Sequence, residues 1–354
     1  MLKSTDDLRI TEIKPLPTPI EVMRNHPRTD AATRTVITAR HDFHNILVGQ
    51  DDRLAVVVGP CSIHDPAAAM DYARRLAALR EELSGDLEII MRVYFEKPRT
   101  TVGWKGLIND PDLNGSFNIT QGLDTARTLL LDIANLGLPA ACEFLDMTTP
   151  QYLADLVAWA AIGARTTESQ IHRELASGLS MPVGFKNRTD GDLQVAVDAI
   201  VSARHAHCFP SLTREGAPAV LATTGNPECH LVLRGGTRSG PNYDAQHVTQ
   251  AVQLLRQADA LPTVLVDCSH GNSGKKHDHQ PAVAADVAAQ IGSGSRAIFG
   301  VMLESNLVGG AQKHEPGRPL QYGQSITDAC LGFDETVPVL ENLAAAVATR
   351  RQKG

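Results

Sequence analysis

Aromatic side chains make up only 4% of the 354 residues. That leaves few platforms on which unpaired bases could stack. Positive charge is not in excess either: 33 Lys+Arg stand against 40 Asp+Glu for a net charge of −7, the wrong sign for a broad phosphate-backbone footprint. Nucleic acid is therefore excluded as the expected partner. No run approaches the roughly 18 to 20 apolar residues of a membrane helix, and the opening MLKSTDDLRI has no apolar signal core, so a soluble, cytoplasmic protein without a membrane partner is expected. The six cysteines (Cys61, Cys142, Cys208, Cys229, Cys268, Cys330) stand singly, which excludes a disulfide scaffold or a zinc ribbon and predicts reduced thiols. A G-x-G-x-x-G after an early strand, an internal repeat and a low-complexity segment are all missing.

What remains is an ordinary globular composition, 43% hydrophobic with 28 Gly and 20 Pro. The length allows about two domains or one large α/β barrel. Residues 1–50 form a Pro-punctuated arm followed by a polar, helix-like stretch from about Ile20 to Leu47, which is expected outside the main core. From Leu54 onward short apolar runs appear at 54–61, 87–94, 139–145, 160–165, 182–186, 207–212, 230–234, 263–268 and 297–303, separated by amphipathic patterns such as 67–83 and 151–159. Near-continuous apolar strands alternating with helices indicate a parallel sheet covered by helices. The run at 207 breaks the alternation, because a turn and a second short strand follow it directly, a hairpin insertion at about 207–224. The other eight runs predict a (β/α)8 barrel over 51–354.

In such a barrel the active site lies at the C-terminal strand ends. There the runs close on Cys61, Arg92, Glu143, Arg165, Lys186, Arg234, His270 and Glu304. Arg92, Lys97, Arg165, Lys186 and Arg234 put five cations at one mouth of an acidic protein, which implies a small substrate carrying phosphate and carboxylate. Glu143 can neutralise one of them, not five. Cys61, His270, Glu304 and Asp328 form the other subset, a mixed soft and hard donor set that suits Mn, Fe, Co or Zn better than Ca or Mg. Taken alone, Cys61 reads equally well as a small buried hydrophobe.

The motifs Gly59-Pro60-Cys61-Ser62-Ile63-His64-Asp65, Lys97-Pro98-Arg99-Thr100-Thr101, Gly163-Ala164-Arg165-Thr166-Thr167-Glu168-Ser169, Gly184-Phe185-Lys186-Asn187, Leu233-Arg234-Gly235-Gly236, Asp267-Cys268-Ser269-His270 and Ser325-Ile326-Thr327-Asp328 together resemble the type I 3-deoxy-D-arabino-heptulosonate 7-phosphate (DAHP) synthases. The likeness spans essentially the whole chain, including the arm and the hairpin. It implies a homo-oligomeric barrel enzyme, a dimer or tetramer, that condenses phosphoenolpyruvate with erythrose 4-phosphate at the entry to the shikimate pathway of chorismate and aromatic amino acid biosynthesis. It also implies a metal on Cys61, His270, Glu304 and Asp328, phosphoenolpyruvate on Arg92, Lys97, Arg165, Lys186 and Arg234, and erythrose 4-phosphate on Arg99 and Thr100. Lys97 becomes a candidate proton donor and Glu143 a candidate for orienting water.

Further from the mouth, the resemblance implies a feedback site for an aromatic amino acid at Asp146, Met147, Gln151, Leu175, Leu179, Ser180, Phe209, Ser211 and Leu221. Ser211 resembles the phenylalanine-sensitive members. Two departures stand out: Arg188 where the family usually has Gly, and a longer segment at Thr237-Arg238-Ser239-Gly240. The run 275–279 (KKHDH) reads as an exposed polar loop. Two rival readings stay open, a Schiff-base aldolase using Lys186 and a catalytically silent subunit that senses aromatic amino acids.

Overall fold

The computed structural model describes residues 5–99, 101–315 and 317–353. In chain order the strands are β1 (Leu54–Gly59), β2 (Leu87–Arg92), β3 (Ala140–Glu143), β4 (Trp159–Ile162), β5 (Val183–Lys186), β6 (Cys208–Leu212), β7 (Pro218–Ala222), β8 (Cys229–Leu233), β9 (Val264–Asp267) and β10 (Ile298–Asn306), followed by the short β11 (Val308–Ala311), β12 (Gln324–Ser325) and β13 (Leu331–Gly332). Eight of them pair in parallel in the order β1-β2-β3-β4-β5-β8-β9-β10, and β10 returns to β1 through the register Ala55↔Gly300 to Gly59↔Glu304. This closes the (β/α)8 barrel. β6 and β7 form a separate antiparallel hairpin, with Phe209 opposite Leu221 and Ser211 opposite Ala219.

The strands read as unbroken apolar runs because both of their faces are covered. Ala55, Val57, Ile90, Ala141, Val232, Leu265 and Met302 fill the barrel interior, while Leu54, Val56 and Val58 pack outward against the helical layer. The helices start where capping chemistry allows. In α3 (Pro66–Glu82), for example, the Asp65 side chain accepts from the amides of Ala67 and Ala68, and a proline occupies the first turn.

The structure differs from the sequence expectation in two places. The pattern at 151–159 is not one helix: α5 (Thr149–Leu153) passes into a single 3-10 turn, Ala154–Leu156, and Trp159 opens β4. The Arg40 guanidinium takes the carbonyls that a longer helix would have used internally, donating to Ala154 O at 2.8 Å and Val157 O at 3.0 Å. The arm is also not wholly outside the core. It forms α1 (Pro19–Asn25), closed by a Thr18/Glu21 capping box, and α2 (Asp30–Leu47). Phe43, Ile46 and Leu47 of α2 are buried in the same cluster as the barrel interior.

α2 therefore plugs the end of the barrel opposite the site. The Phe43 ring lies 5.6 Å from that of His230 and 5.7 Å, edge on, from that of Phe299. Burial lowers His230 to about 4, and the neutral ring accepts from Trp159 Nε1 at 3.1 Å. No helix among the described residues is long and apolar enough to cross a membrane.

Candidate active site

A cavity of about 490 Å³ opens at the C-terminal ends of the barrel strands. Arg92, Lys97, Arg165, Lys186 and Arg234 all line it, together with Arg99, Glu143, His270, Glu304 and Asp328. Thr100 lies outside the described residues. Cys61 sits behind the lining, fully buried, with Sγ 3.4 Å from Asp328 Oδ2 and accepting from Lys97 Nζ at 3.0 Å.

The strands carry these side chains inward, and local features fix their heights. Lys97 stands on a short loop tied down by its amide, which donates to Lys105 O at 2.9 Å, and by a bridge between Glu96 and Gly106. Gly106 has φ +118°, and a Cβ there would meet Phe95 O, so only glycine lets the loop close this tightly. Arg234 is set by an amide network in which its own N–H donates to Asn187 Oδ1 at 2.8 Å and Gly235 N–H to Asn242 Oδ1 at 2.8 Å. Gln280 clamps Glu304 by exchanging two hydrogen bonds with its backbone, at 2.8 and 3.0 Å.

Cys61, Glu304 and Asp328 present ligand atoms that all lie within 4.8 Å of one another, a group able to hold a metal ion. His270 joins them from the side, its Nε2 3.9 Å from Glu304 Oε1. Its other ring nitrogen lies 3.0 Å from Asp267 Oδ2 and 2.6 Å from Ser269 Oγ, while the Ser269 hydroxyl donates to Asp267 Oδ1 at 2.6 Å. That arrangement puts the ring proton on Nδ1 and leaves the Nε2 lone pair facing the carboxylates, as metal-binding imidazoles require. His270 holds φ at +56°, strained for a residue with a Cβ.

Charge at this centre is finely divided. Burial pushes the Cys61 thiol up to about 11, with Glu304 adding to the effect and Lys97 opposing it. A divalent cation would reverse that shift, since a coordinating thiol loses its proton. Burial by itself would lower Lys97, yet Cys61, Glu304 and Asp328 raise it above its ordinary value. Arg92 is ion-paired with Glu304 at 2.9 Å and Lys186 with Asp267 at 3.0 Å.

Asp267 is the main residue that sequence reasoning missed. It is fully buried at the end of β9 and holds both Lys186 and His270. Burial would raise its carboxyl, but Lys186 and His270 hold it well below the usual carboxylate range. The available signal was its position, closing a strand three residues before His270.

Both departures from the family pattern lie at the rim. Arg188 is part-exposed and pairs with Asp190 at 3.3 Å and Glu168 at 3.6 Å. The 237–240 segment docks beside it, Thr237 N–H donating to Thr189 O at 2.8 Å and Ser239 N–H to Asp190 O at 3.2 Å. Lys275 and His277 reach the cavity wall, while Lys276, Asp278 and His279 are exposed.

A second cavity of about 720 Å³ lies under the hairpin. Met147, Gln151, Leu175, Leu179, Ser180, Phe209, Ser211 and Leu221 line it, joined by Arg28, Arg40 and Asp155, which the sequence did not single out. Asp146 stands outside the lining. Its carboxylate accepts from the amides of Thr148 and Thr149, at 2.6 and 2.8 Å, and from Thr149 Oγ1 at 2.7 Å, bracing the start of α5.

The family model of the DAHP synthetase I family matches residues 28–341. The Phe-sensitive phospho-2-dehydro-3-deoxyheptonate aldolase of Escherichia coli (strain K12) is 60% identical over 346 residues, covering 98% of each chain. The Trp-sensitive one of Buchnera aphidicola subsp. Schizaphis graminum is 52% identical over 349 residues, covering 99% of this chain and all of that protein. Among solved structures, phospho-2-dehydro-3-deoxyheptonate aldolase from Francisella tularensis SCHU S4 superposes with a TM-score of 0.95 at 55% identity, over 97% of this chain and 99% of that one. With a closed barrel, a cation-lined mouth and near-complete coverage in every comparison, the chain belongs to the DAHP synthetase I family.

Proposed function

We propose that this protein is a DAHP synthase, condensing phosphoenolpyruvate, erythrose 4-phosphate and water to 3-deoxy-D-arabino-heptulosonate 7-phosphate and phosphate. The observation that carries the reading is the convergence on one cavity of five cations with a thiol, an imidazole and two carboxylates. Arg92, Lys97, Arg165, Lys186 and Arg234 hold the phosphate and carboxylate of phosphoenolpyruvate. Arg99 and Thr100 receive the phosphate of the aldose.

Held this way, carbon 3 of the enol phosphate faces the aldehyde carbon, a positioning effect worth several kcal/mol. The new carbon–carbon bond forms there, a water held by Glu143 adds to carbon 2, and phosphate departs with its bridging oxygen. Lys97 stands between the two substrates and protonates or clamps the developing alkoxide. Cys61, His270, Glu304 and Asp328 are the residues that would hold a divalent ion, Mn, Fe, Co or Zn, whose chemistry when bound is Lewis acidity toward a carbonyl oxygen. In Cys61→Ala, bound metal and turnover are expected to fall together, as read by metal analysis and steady-state rates. Full retention of both would remove the metal assignment.

The Schiff-base reading fares worse, because the Lys186 side chain is already engaged by buried Asp267 at 3.0 Å. Borohydride with pyruvate should leave the protein unmodified. The second cavity supports feedback by an aromatic amino acid, with phenylalanine favoured through Ser211 on its wall. Titration with each amino acid should show phenylalanine inhibiting more strongly than tyrosine, and the reverse order would overturn the assignment. The extended arm leaves Leu8, Ile10 and Ile13 more than half exposed, and Val220 on the hairpin is 74% exposed, which supports a homo-oligomer joined through arm and hairpin. Six free cysteines fit a cytoplasmic setting.

A further inference from the structure

Tyr94 lies two residues beyond β2, fully buried in the cluster that fills the barrel. None of the steps above uses it. The guanidinium carbon of Arg92 lies 3.7 Å from the centre of its ring, and the Lys186 ammonium lies 6.0 Å from the same centre. The edge of Arg92 is already committed. Its Nε donates to Pro60 O at 3.1 Å, Nη1 to Met302 Sδ at 3.1 Å, and Nη2 to Cys61 O at 3.3 Å and Glu304 Oε1 at 2.9 Å. Of the five N–H groups in the fork, one on Nη1 has no partner among the described residues. What fixes the flat face is the tyrosine ring.

We infer that Tyr94 is a positioning residue whose ring face is a cation–π platform, holding Arg92, and more weakly Lys186, at the height where phosphoenolpyruvate binds. The inference rests on the reading of the mouth as a phosphoenolpyruvate site. Two cations held close together in a buried site raise each other's cost; Glu304 and Asp267 offset it at their N–H groups, and the flat face of Arg92 still needs a partner that stabilises positive charge. A further carboxylate would do so but would compete with the anionic substrate for the same donors. An aromatic face supplies negative potential without a formal charge. The Tyr94 hydroxyl is buried with no hydrogen-bond partner among the described residues, so the ring and not the hydroxyl is the working part.

The test places phenylalanine and its 4-fluoro, 3,5-difluoro and 3,4,5-trifluoro analogues at position 94 of the full-length protein. Each fluorine weakens the ring face at nearly constant shape, so folding is not at stake. Phosphoenolpyruvate binding measured by calorimetry should be close to wild type in Tyr94→Phe and then weaken stepwise, on the order of tenfold across the series. Over the same series kcat should change less than about twofold and the thermal midpoint should hold, a split that a packing role would not give. A dissociation constant that stays flat along the series overturns the platform and leaves the substrate site standing. So does a loss that appears in full with Tyr94→Phe. Failure of the wild-type protein to bind phosphoenolpyruvate at all would remove the site reading and the platform with it.

Discussion

Glu96 stands one residue before Lys97, only 5% exposed, with the Asp146 carboxylate as its neighbour. Asp146 already accepts three hydrogen bonds at the head of α5, which leaves Glu96 to hold the proton between them. Burial raises Glu96 from 4.5 to about 9, with Asp146 and Glu143 adding to the shift. The sign follows from linkage: the folded chain keeps a proton that the unfolded chain releases, so this contribution to stability is full below about pH 4.5 and is lost as pH rises through about 9. Glu96→Gln keeps a neutral hydrogen-bonding group there. Its denaturation midpoint should fall less steeply than that of the wild type between those pH values, and identical slopes would contradict the account. At this scale the strand-end residues were legible because position and chemical type agree at each of them. Glu96 and Asp267 were not, because a buried carboxylate is recognised only through the partners that surround it, and those come from other strands.

At the scale of elements, α2 shows how composition can hide a structural role. Its surface is polar, yet Val36, Ala39, Phe43, Ile46 and Leu47 fall at spacings of three and four and bury one face. That stripe could be read as a helix from the sequence. That it closes the barrel could not, since the complementary surface is built by Trp159, His230 and Phe299 from three separate strands. Phe43→Ala removes a ring packed against all three and should cost about 3–5 kcal/mol, the range for large-to-small changes in a core. Chemical denaturation of the variant checks this, and a loss below about 1 kcal/mol would mean that α2 is a loosely held appendage. The hairpin was legible for a different reason, because two strands without room for a crossover helix can only pair with each other.

For the whole molecule, the net charge of −7 is an average over two unlike regions. Seven cations line the cavity at the barrel mouth, two of them ion-paired with buried carboxylates, while most of the acidic excess lies elsewhere. The barrel itself was legible because eight apolar runs alternate with helical patterns, the number of βα units that closes a barrel, and no dinucleotide-binding glycine motif points to an open sheet. The second cavity was legible in part: eight of the nine residues that the resemblance implied for a feedback site line it, whereas Arg28, Arg40 and Asp155 join them only once the arm folds against α5 and the turn that follows it. A single measurement bears most directly on the central reading: heptulosonate formation and phosphate release from phosphoenolpyruvate and erythrose 4-phosphate, after chelation and again after return of Mn, Fe, Co or Zn one at a time. The structure predicts that turnover disappears with the chelator and returns with at least one of these ions. Undiminished turnover in the chelated protein, or no condensation product with any of them, would contradict it.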